Sequence, residues 1–480
     1  MTECELVIRG GVVVTASDVL HCDVGISGER ITALAEHLEG RQVIDAKGML
    51  VLPGGVDSHC HIEQLEADGS IHEESFETAA ISAFAGGTTT IIPFAPQFKG
   101  EPLHGPLADY RGRAKRSPID YALHQIITDP SEHVLEQELP ALAAAGMRNL
   151  KVFLTYDPFH LDDGQFLRVL SAAKKIGALV SVHCENYEAI RWRSEALLRA
   201  GRPEPASHAI SRPKVVEREA TYRAIALAEL VDQPIHIFHV SCAEVAEEIA
   251  RAQRRGVKVT GETCPQYMVL TAGDMARPGF EGAKFMCSPS PRLKEDADRL
   301  WAAIRDGTLD IISSDHCGYS YDGDKGKRLN GTDAAFPNIP NGVPGLAARM
   351  AITFSEGVVA GHIDLNAFVR LTATNPAKRY GIYPRKGTIA PGTDADLVLW
   401  DPQCRVTLTN ALMQHAIDYT PYEGLEVTGW PVMTIARGRI VMDKADVQTT
   451  PGSGHFLSSA VTDGARPRGL VPDGFDAALA

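Results

Sequence analysis

No apolar run in this 480-residue chain approaches the roughly 18 residues of a membrane-crossing helix. The N-terminus, MTECELVIRGGVVV, carries neither a basic lead segment nor a small-residue cleavage motif, so no secretory signal is expected. The nine cysteines contain no CxxC pair. An odd count without paired spacing predicts free thiols in a reducing compartment and so a cytoplasmic address. Basic residues are not in excess either: 47 Lys and Arg face 61 Asp and Glu, a formal charge of −14. Nucleic acid and anionic membranes both reward clustered cations, so neither is an expected partner. No GxGxxG opens a helix, which argues against a dinucleotide-binding open sheet.

The remaining composition, 44% hydrophobic and 22% charged, is that of a globular protein long enough for one large domain and a smaller one. Residues 1–52 read as short strands rich in Val and Ile and broken by Gly and Asp turns, such as ELVIRGGVVV and DVGISGERITAL. The same texture returns over 385–447 in DADLVLWDP, CRVTLTN and VMTIARGRIVMD. Two β-rich ends predict a small β-sandwich built from both termini. Residues 53–384 instead alternate strand-like runs with helical patterns: GTTTIIPFA, YALHQIIT, NLKVFLTY, ALVSVHCEN, PIHIFHVS, VKVTGETC and LDIISSDHC. Glycine follows the helical stretches DGQFLRVLSAAKKIG and CAEVAEEIARAQRRG, a helix-ending signal. This α/β pattern predicts a (β/α)8 TIM barrel, typically about 250 residues plus insertions. Residues 448–480, rich in Gly, Pro, Ser and Asp, read as an extended C-terminal arm.

In such a barrel, polar residues at the carboxyl ends of strands mark the site of chemistry. His59 and His61 in SHCHIE, one residue apart on a strand, point to the same side. His183 ends ALVSVHCEN, His239 ends PIHIFHVS, Asp315 ends LDIISSDHC, and Lys151 lies in NLKVFLTY. A single histidine among 17 signifies little. Four of them with a carboxylate, drawn from four strand ends, form a donor set suited to zinc or a similar divalent ion. The other histidines, His72, His124, His208 and His236 among them, read as surface or core residues. Two accounts fit Lys151. Its stem packs while its head meets a carboxylate, or its neutral amine has captured carbon dioxide to give an anionic carbamate that bridges two metals.

These segments resemble the hydantoinase and dihydropyrimidinase family of cyclic amidohydrolases. PGGVDSHCHIE, AGGTTTII, KVFLTY, VHCEN, FHVSC, GETCPQY, CSPSPR, SSDHC, IPNGVPG and TATNPAKRYGIYPRKGTIAPGTDADLVLWDP fall in the family's order from about residue 3 to about residue 445. The resemblance implies two divalent metal ions, usually zinc, and N6-carboxylated Lys151. His59, His61 and Asp315 would hold the first ion, His183 and His239 the second, and Lys151 would bridge both. It further implies that Tyr156 donates to the developing oxyanion, while main-chain groups at Ser288 and Asn341 grip the ring amide. The implied reaction is hydrolysis of a cyclic amide, with hydantoin or dihydropyrimidine opened to an N-carbamoyl amino acid. In it a metal-activated water attacks and Asp315 moves the proton to the departing nitrogen. A homotetramer or dimer is implied as well.

The chain departs from its relatives after the second histidine. IEQLEADGSIHEE is polar and acidic where relatives carry an apolar pocket-lining stretch, so it either lines a pocket for smaller groups or forms an exposed rim. Pro93 stands where many relatives have an acid, and Phe159 in DPFHLDDG is a candidate substrate gate. Glu63 occupies the position at which dihydroorotase-like enzymes place an arginine, which argues against that activity. Cyclic imide hydrolysis and an allantoinase-like reaction are the alternatives. A non-catalytic scaffold of the dihydropyrimidinase-related kind is the other class, but all six ligand positions are filled here. Cys60, Cys184, Cys242 and Cys317 read as small packing residues beside the ligands, and His316 as a supporting residue.

Overall fold

The computed structural model describes residues 4–66, 71–322 and 325–470. Seven strands open the chain: β1 (Cys4–Arg9), β2 (Val12–Val14), β3 (Val19–His21), β4 (Asp23–Ser27), β5 (Arg30–Ala35), β6 (Gly40–Asp45) and β7 (Leu50–Pro53). Strands β5, β4, β1 and β6, in that order, form one sheet.

Nine parallel segments follow: β8 (Gly55–Cys60), β9 (Thr88–Ala95), β10 (Asp120–Tyr121), β11 (His124–Ile126), β12 (Asn149–Phe153), β13 (Leu179–His183), β14 (Ile235–Ile237), β15 (Val259–Thr263) and β16 (Leu309–Ile312). Both β10 and β11 pair with β9, so they occupy a single strand position and the sheet has eight. Each strand position is followed by helix; Asp163–Ile176 and Ala243–Arg254 are among the longer. The first of these starts at a capping box of Asp162 with Gln165 and ends at Gly177 in the left-handed region (φ 64°). The second is capped by Arg255, with Gly256 (φ 81°) one residue beyond. Their apolar faces, including Phe166, Val169, Leu170 and Ile249, bury against Val152, Val180, Val182 and Ile237 on the outside of the sheet. Inside the curl lie Val56, Ile92, Phe94, Ile126, Phe238 and Ile311. A parallel bridge joins Cys60 to His316, and the His61 N–H donates to the His316 carbonyl at 2.6 Å, bringing the two edges together. This mixed α/β sheet fits a TIM barrel.

The chain then returns to β17 (Leu397–Thr407), β18 (Glu426–Ala436), β19 (Arg439–Asp443) and β20 (Asp446–Val447). The expected separate runs LVLWDP and CRVTLTN are one strand, β17, with its register against β18 shifting between Asp401 and Arg405. A second sheet runs β20-β19-β18-β17-β7-β2-β3, mixing both chain ends. Leu6, Ile8, Val24 and Ile26 of the first sheet share a core with Val51, Leu397, Leu399 and Ile435 of the second, as a sandwich from both termini requires.

Beyond β20 the chain hugs the amino-terminal ends of the barrel strands. Leu457 donates to the Tyr121 carbonyl (2.7 Å), Ser459 to that of Gly146 (2.8 Å) and Ala460 to that of Gly381 (2.9 Å). Leu457 is buried, and Asp232 accepts the backbone N–H groups of Arg468, Gly469 and Leu470. Residues 471–480 of the predicted arm lie outside the described residues. No helix among the described residues is long and apolar enough to cross a membrane.

Candidate active site

The carboxyl ends of the barrel strands open into a cavity of about 440 Å³, lined by His59, His61, Lys151, His183, His239 and Asp315 together with Tyr156, Ser288 and Asn341. His59 lies on β8 and His61 just beyond it. Lys151 projects from the middle of β12, His183 ends β13, and His239 and Asp315 follow β14 and β16. Single ligand atoms from His59, His61 and Asp315 all lie within 4.8 Å of one another, close enough to share one ion. The Asp315 carboxylate stands 3.1 Å from His59 Nε2 and 3.8 Å from His61 Nε2. His239 stacks beside this group, its ring 5.2 Å from that of His59 and 4.4 Å from that of His183.

Lys151 has no exposed surface, and among the described residues its Nζ has no hydrogen-bond partner. The rings of Phe238, Phe153 and Phe94 surround that nitrogen at 4.1, 4.6 and 5.4 Å. Burial pushes its pKa down to about 7, against partial opposition from Asp315 and Glu262. The account in which the lysine head meets a carboxylate finds no such bond among the described residues. Burial also lowers the pKa values of His59, His183 and His239, and holds His61 at about 4. Neutral imidazoles, one carboxylate and a buried, unpartnered amine make a donor set that fits divalent metal.

Three partners missing from the sequence reading brace these ligands. His59 Nδ1–H donates to Glu262 of β15 at 2.5 Å. His183 Nε2–H donates to Glu185 at 2.9 Å, and Arg212 holds the same Glu185 oxygen at 2.6 Å. His61 Nδ1–H donates to Gln64 at 2.7 Å. Each bond fixes which ring nitrogen stays free to bind. Glu262 carried a signal: an acid inside a barrel strand needs a partner. Glu185 lies two residues past a strand-end histidine. Arg212 carried none, since its role depends on a fold contact.

On the opposite wall the hydroxyls of Tyr156 and Ser288 both donate to Asn341 Oδ1, at 3.3 and 2.9 Å. Ser288 Oγ also lies 3.2 Å from His208 Nε2, a histidine that the sequence left in the core. Burial raises the Tyr156 pKa, keeping its phenol a proton donor. Tyr156 (φ 70°), His239 (φ 40°) and Asp315 (φ 49°) adopt left-handed backbone. Such strain costs on the order of 1–3 kcal/mol per residue and gathers at functional sites.

The departures from the family now have positions. Gln64, Glu66 and His72 line the cavity beside His61, with His72 Nε2–H donating to Glu66 at 2.6 Å. His72 is thus a site residue rather than a core filler. Residues 67–70 of the same stretch lie outside the described residues. Glu63 faces away from the cavity, accepting the Phe76 N–H and pairing with Arg116 at 3.1 Å. Phe159 lines the cavity, as a gate would. Cys60, Cys184 and Cys242 are packed in the core, whereas Cys317 borders the cavity. The His316 ring accepts the Gly345 N–H at 3.2 Å and faces Glu74, while its carbonyl takes the His61 N–H, so it supports both the loop after β16 and the segment that carries His61.

Residues 50–441 match the Amidohydrolase family. A D-hydantoinase from Ralstonia pickettii is 42% identical over 94% of this chain and 98% of that protein. One from Geobacillus stearothermophilus is 41% identical over 94% and 96% of the two chains. Among solved structures, a dihydropyrimidinase from Brevibacillus agri superposes with a TM-score of 0.92 at 40% identity, covering 96% of this chain and 99% of that one. An L-hydantoinase from Arthrobacter aurescens superposes at 0.85 with 27% identity, over 95% and 100% of the respective chains. Fold, donor set and likeness over nearly the whole chain agree: this protein belongs to the amidohydrolase family, among the hydantoinases and dihydropyrimidinases.

Proposed function

We propose that this protein is a metal-dependent cyclic amidohydrolase that opens a hydantoin or dihydropyrimidine ring to an N-carbamoyl amino acid. The observation that carries the reading is the grouping of His59, His61 and Asp315 next to the buried, unpartnered amine of Lys151, in a cavity large enough for a small ring. His59, His61 and Asp315 would hold one divalent ion and His183 and His239 a second, with carboxylated Lys151 as a ligand common to both. Zinc suits these nitrogen and oxygen donors. When bound, such ions lower the pKa of water toward neutrality and polarise an amide carbonyl.

The protein's own groups do the rest. Main-chain groups at Ser288 and Asn341 orient the ring amide. Tyr156 donates its O–H to the carbonyl oxygen as negative charge develops there. Asp315 takes the proton from the attacking water and delivers it to the departing ring nitrogen. The rings of Phe94, Phe153 and Phe238 around Lys151 exclude bulk water from the amine, which favours a carbamate over an ammonium.

The same reading extends to architecture. Residues 53–384 form a closed (β/α)8 barrel, 1–52 and 385–447 a β-sandwich, and 448–480 a C-terminal arm. The protein works as a cytoplasmic homotetramer or dimer. Its nine cysteines are all unpaired, in keeping with a reducing compartment.

A panel of hydantoin, both enantiomers of 5-substituted hydantoins, dihydrouracil, allantoin and succinimide tests the activity, with ring opening followed spectroscopically. Turnover of a hydantoin or dihydrouracil, lost on chelation and restored by zinc, is expected. No opening of any ring with metal restored overturns the reading. The wall of Gln64, Glu66 and His72 favours one second reading, an allantoin-like ring with a polar substituent, which the same panel scores.

A further inference from the structure

A second lysine, Lys327, is also sealed from solvent, and among the described residues it pairs with no carboxylate. Its ammonium instead donates to three main-chain carbonyls: Gly342 at 2.7 Å, Pro340 at 2.8 Å and Met286 at 3.3 Å. Asn341 lies between the first two, and Ser288 lies two residues past the third. The segments meet directly as well, with the Gly342 N–H donating to the Met286 carbonyl at 2.8 Å. Gly342 sits so close to Cys317 that a Cβ would stand 2.6 Å from its carbonyl oxygen. Lys327 is itself anchored, its N–H donating to Ser320 O at 2.7 Å.

Three carbonyl oxygens aimed at one point repel one another, and each would lose its donor if the cation were removed. Among the described residues, no other charged side chain of the loop after β16 is bonded to both segments. We propose that Lys327 is a positioning residue: its ammonium fastens segment 340–342 to segment 286–288 and thereby sets the main-chain groups at Asn341 and Ser288 that receive the ring amide. The inference rests on the functional reading above for what those groups bind.

The test is Lys327→Met in the full-length, metal-loaded protein. Loss of buried donors to main-chain carbonyls should raise KM by roughly tenfold or more while kcat stays within about threefold. Metal content should be unchanged, and Lys327→Gln, which keeps two N–H donors, should recover part of KM. An unchanged KM, or a fall in kcat that tracks loss of metal, overturns the proposal. If Lys327→Met does not fold, Lys327→Gln is read by the same criteria. Hydrogen exchange gives a readout independent of turnover: the Gly342 amide should exchange faster in the variant. Unchanged protection there overturns the proposal even if the wild type opens no ring, an outcome that would overturn the functional reading separately.

Discussion

Replacing Glu262 by Gln isolates the brace behind the first candidate metal ligand. Glu262 has no exposed surface; one oxygen takes the His59 Nδ1–H at 2.5 Å, while the other has no partner and stands 3.6 Å from His236 Nε2. Burial raises its pKa well above the ordinary carboxylate value, so its ionised form is costly unless a cation beyond His59 draws on it. Glutamine preserves shape and keeps an acceptor for His59 but removes the charge. Loss of such a partner typically lowers metal affinity 10- to 100-fold, or about 1.4–2.7 kcal/mol. The metal-free protein should respond oppositely. Exchanging a poorly satisfied buried acid for an amide relieves a desolvation cost, so stability should hold within about 1 kcal/mol or rise. Competition for zinc against a chelator measures the first quantity, and the urea midpoint of the stripped proteins the second. Zinc affinity within threefold of wild type refutes the orienting role. A loss above about 3 kcal/mol in the stripped protein marks Glu262 as a fold brace instead.

Lys151→Ala should lose metal and activity together, and a short carboxylic acid such as propionate should restore part of both; an active variant that needs no added acid refutes the carbamate. Tyr156→Phe should lower kcat by roughly 10²- to 10³-fold with metal content intact, as expected for one lost oxyanion donor; a change confined to KM contradicts that role. Lys386, buried between Asp120 (2.6 Å), Asp396 (2.6 Å) and Asp394 (2.9 Å), ties barrel to sandwich, and Lys386→Met should destabilise by about 3–5 kcal/mol in urea unfolding. The acids around it raise the Lys386 pKa, once the burial that opposes them is overcome, so its stabilisation is complete below the ordinary 10.5 and is lost as pH rises through the raised value. Asp394 runs the other way: Lys386 lowers its pKa, and its contribution is present above 3.8 and lost as pH falls through the lowered value. A midpoint that is flat across both limits contradicts the linkage.

The strands of the barrel were legible because most are short apolar runs followed by a polar residue, and several of those polar residues line the cavity. His59, His61, His183, His239 and Asp315 could be picked out at strand ends for that reason, and Lys151 as a charge inside the apolar run NLKVFLTY. Their braces could not. Arg212 reaches Glu185 from 27 residues away, and Glu262 meets His59 across 203, so neither pairing leaves a local pattern. The tail shows the same limit. Its Gly, Pro and Ser content reads as an extended arm, but does not say that Leu457 is buried or that Asn149 bonds Ser459 across 310 residues. Composition reports how a segment behaves alone, not which surface receives it.

The braces explain how the site holds its shape. Glu262 comes from β15 to hold a histidine of β8, while Arg212 holds Glu185 and also lies over the Tyr156 ring, 5.4 Å from its centre. The brace of candidate ligand His183 and the proposed oxyanion donor Tyr156 therefore share one buried network. Left-handed backbone at Tyr156, His239 and Asp315 is sustained only by surroundings that over-determine it, and these cross-strand bonds are such surroundings. The rim differs in kind: Glu66 and His72 bond to each other and, through Gln64, to His61, and all three stand on a connecting segment rather than a strand. Substitutions at Glu66 should therefore change which ring substituent is accepted while leaving metal content intact, whereas substitutions at Glu185 should disturb both. A Glu66→Gln variant that loses metal would show that rim and metal centre are a single unit after all.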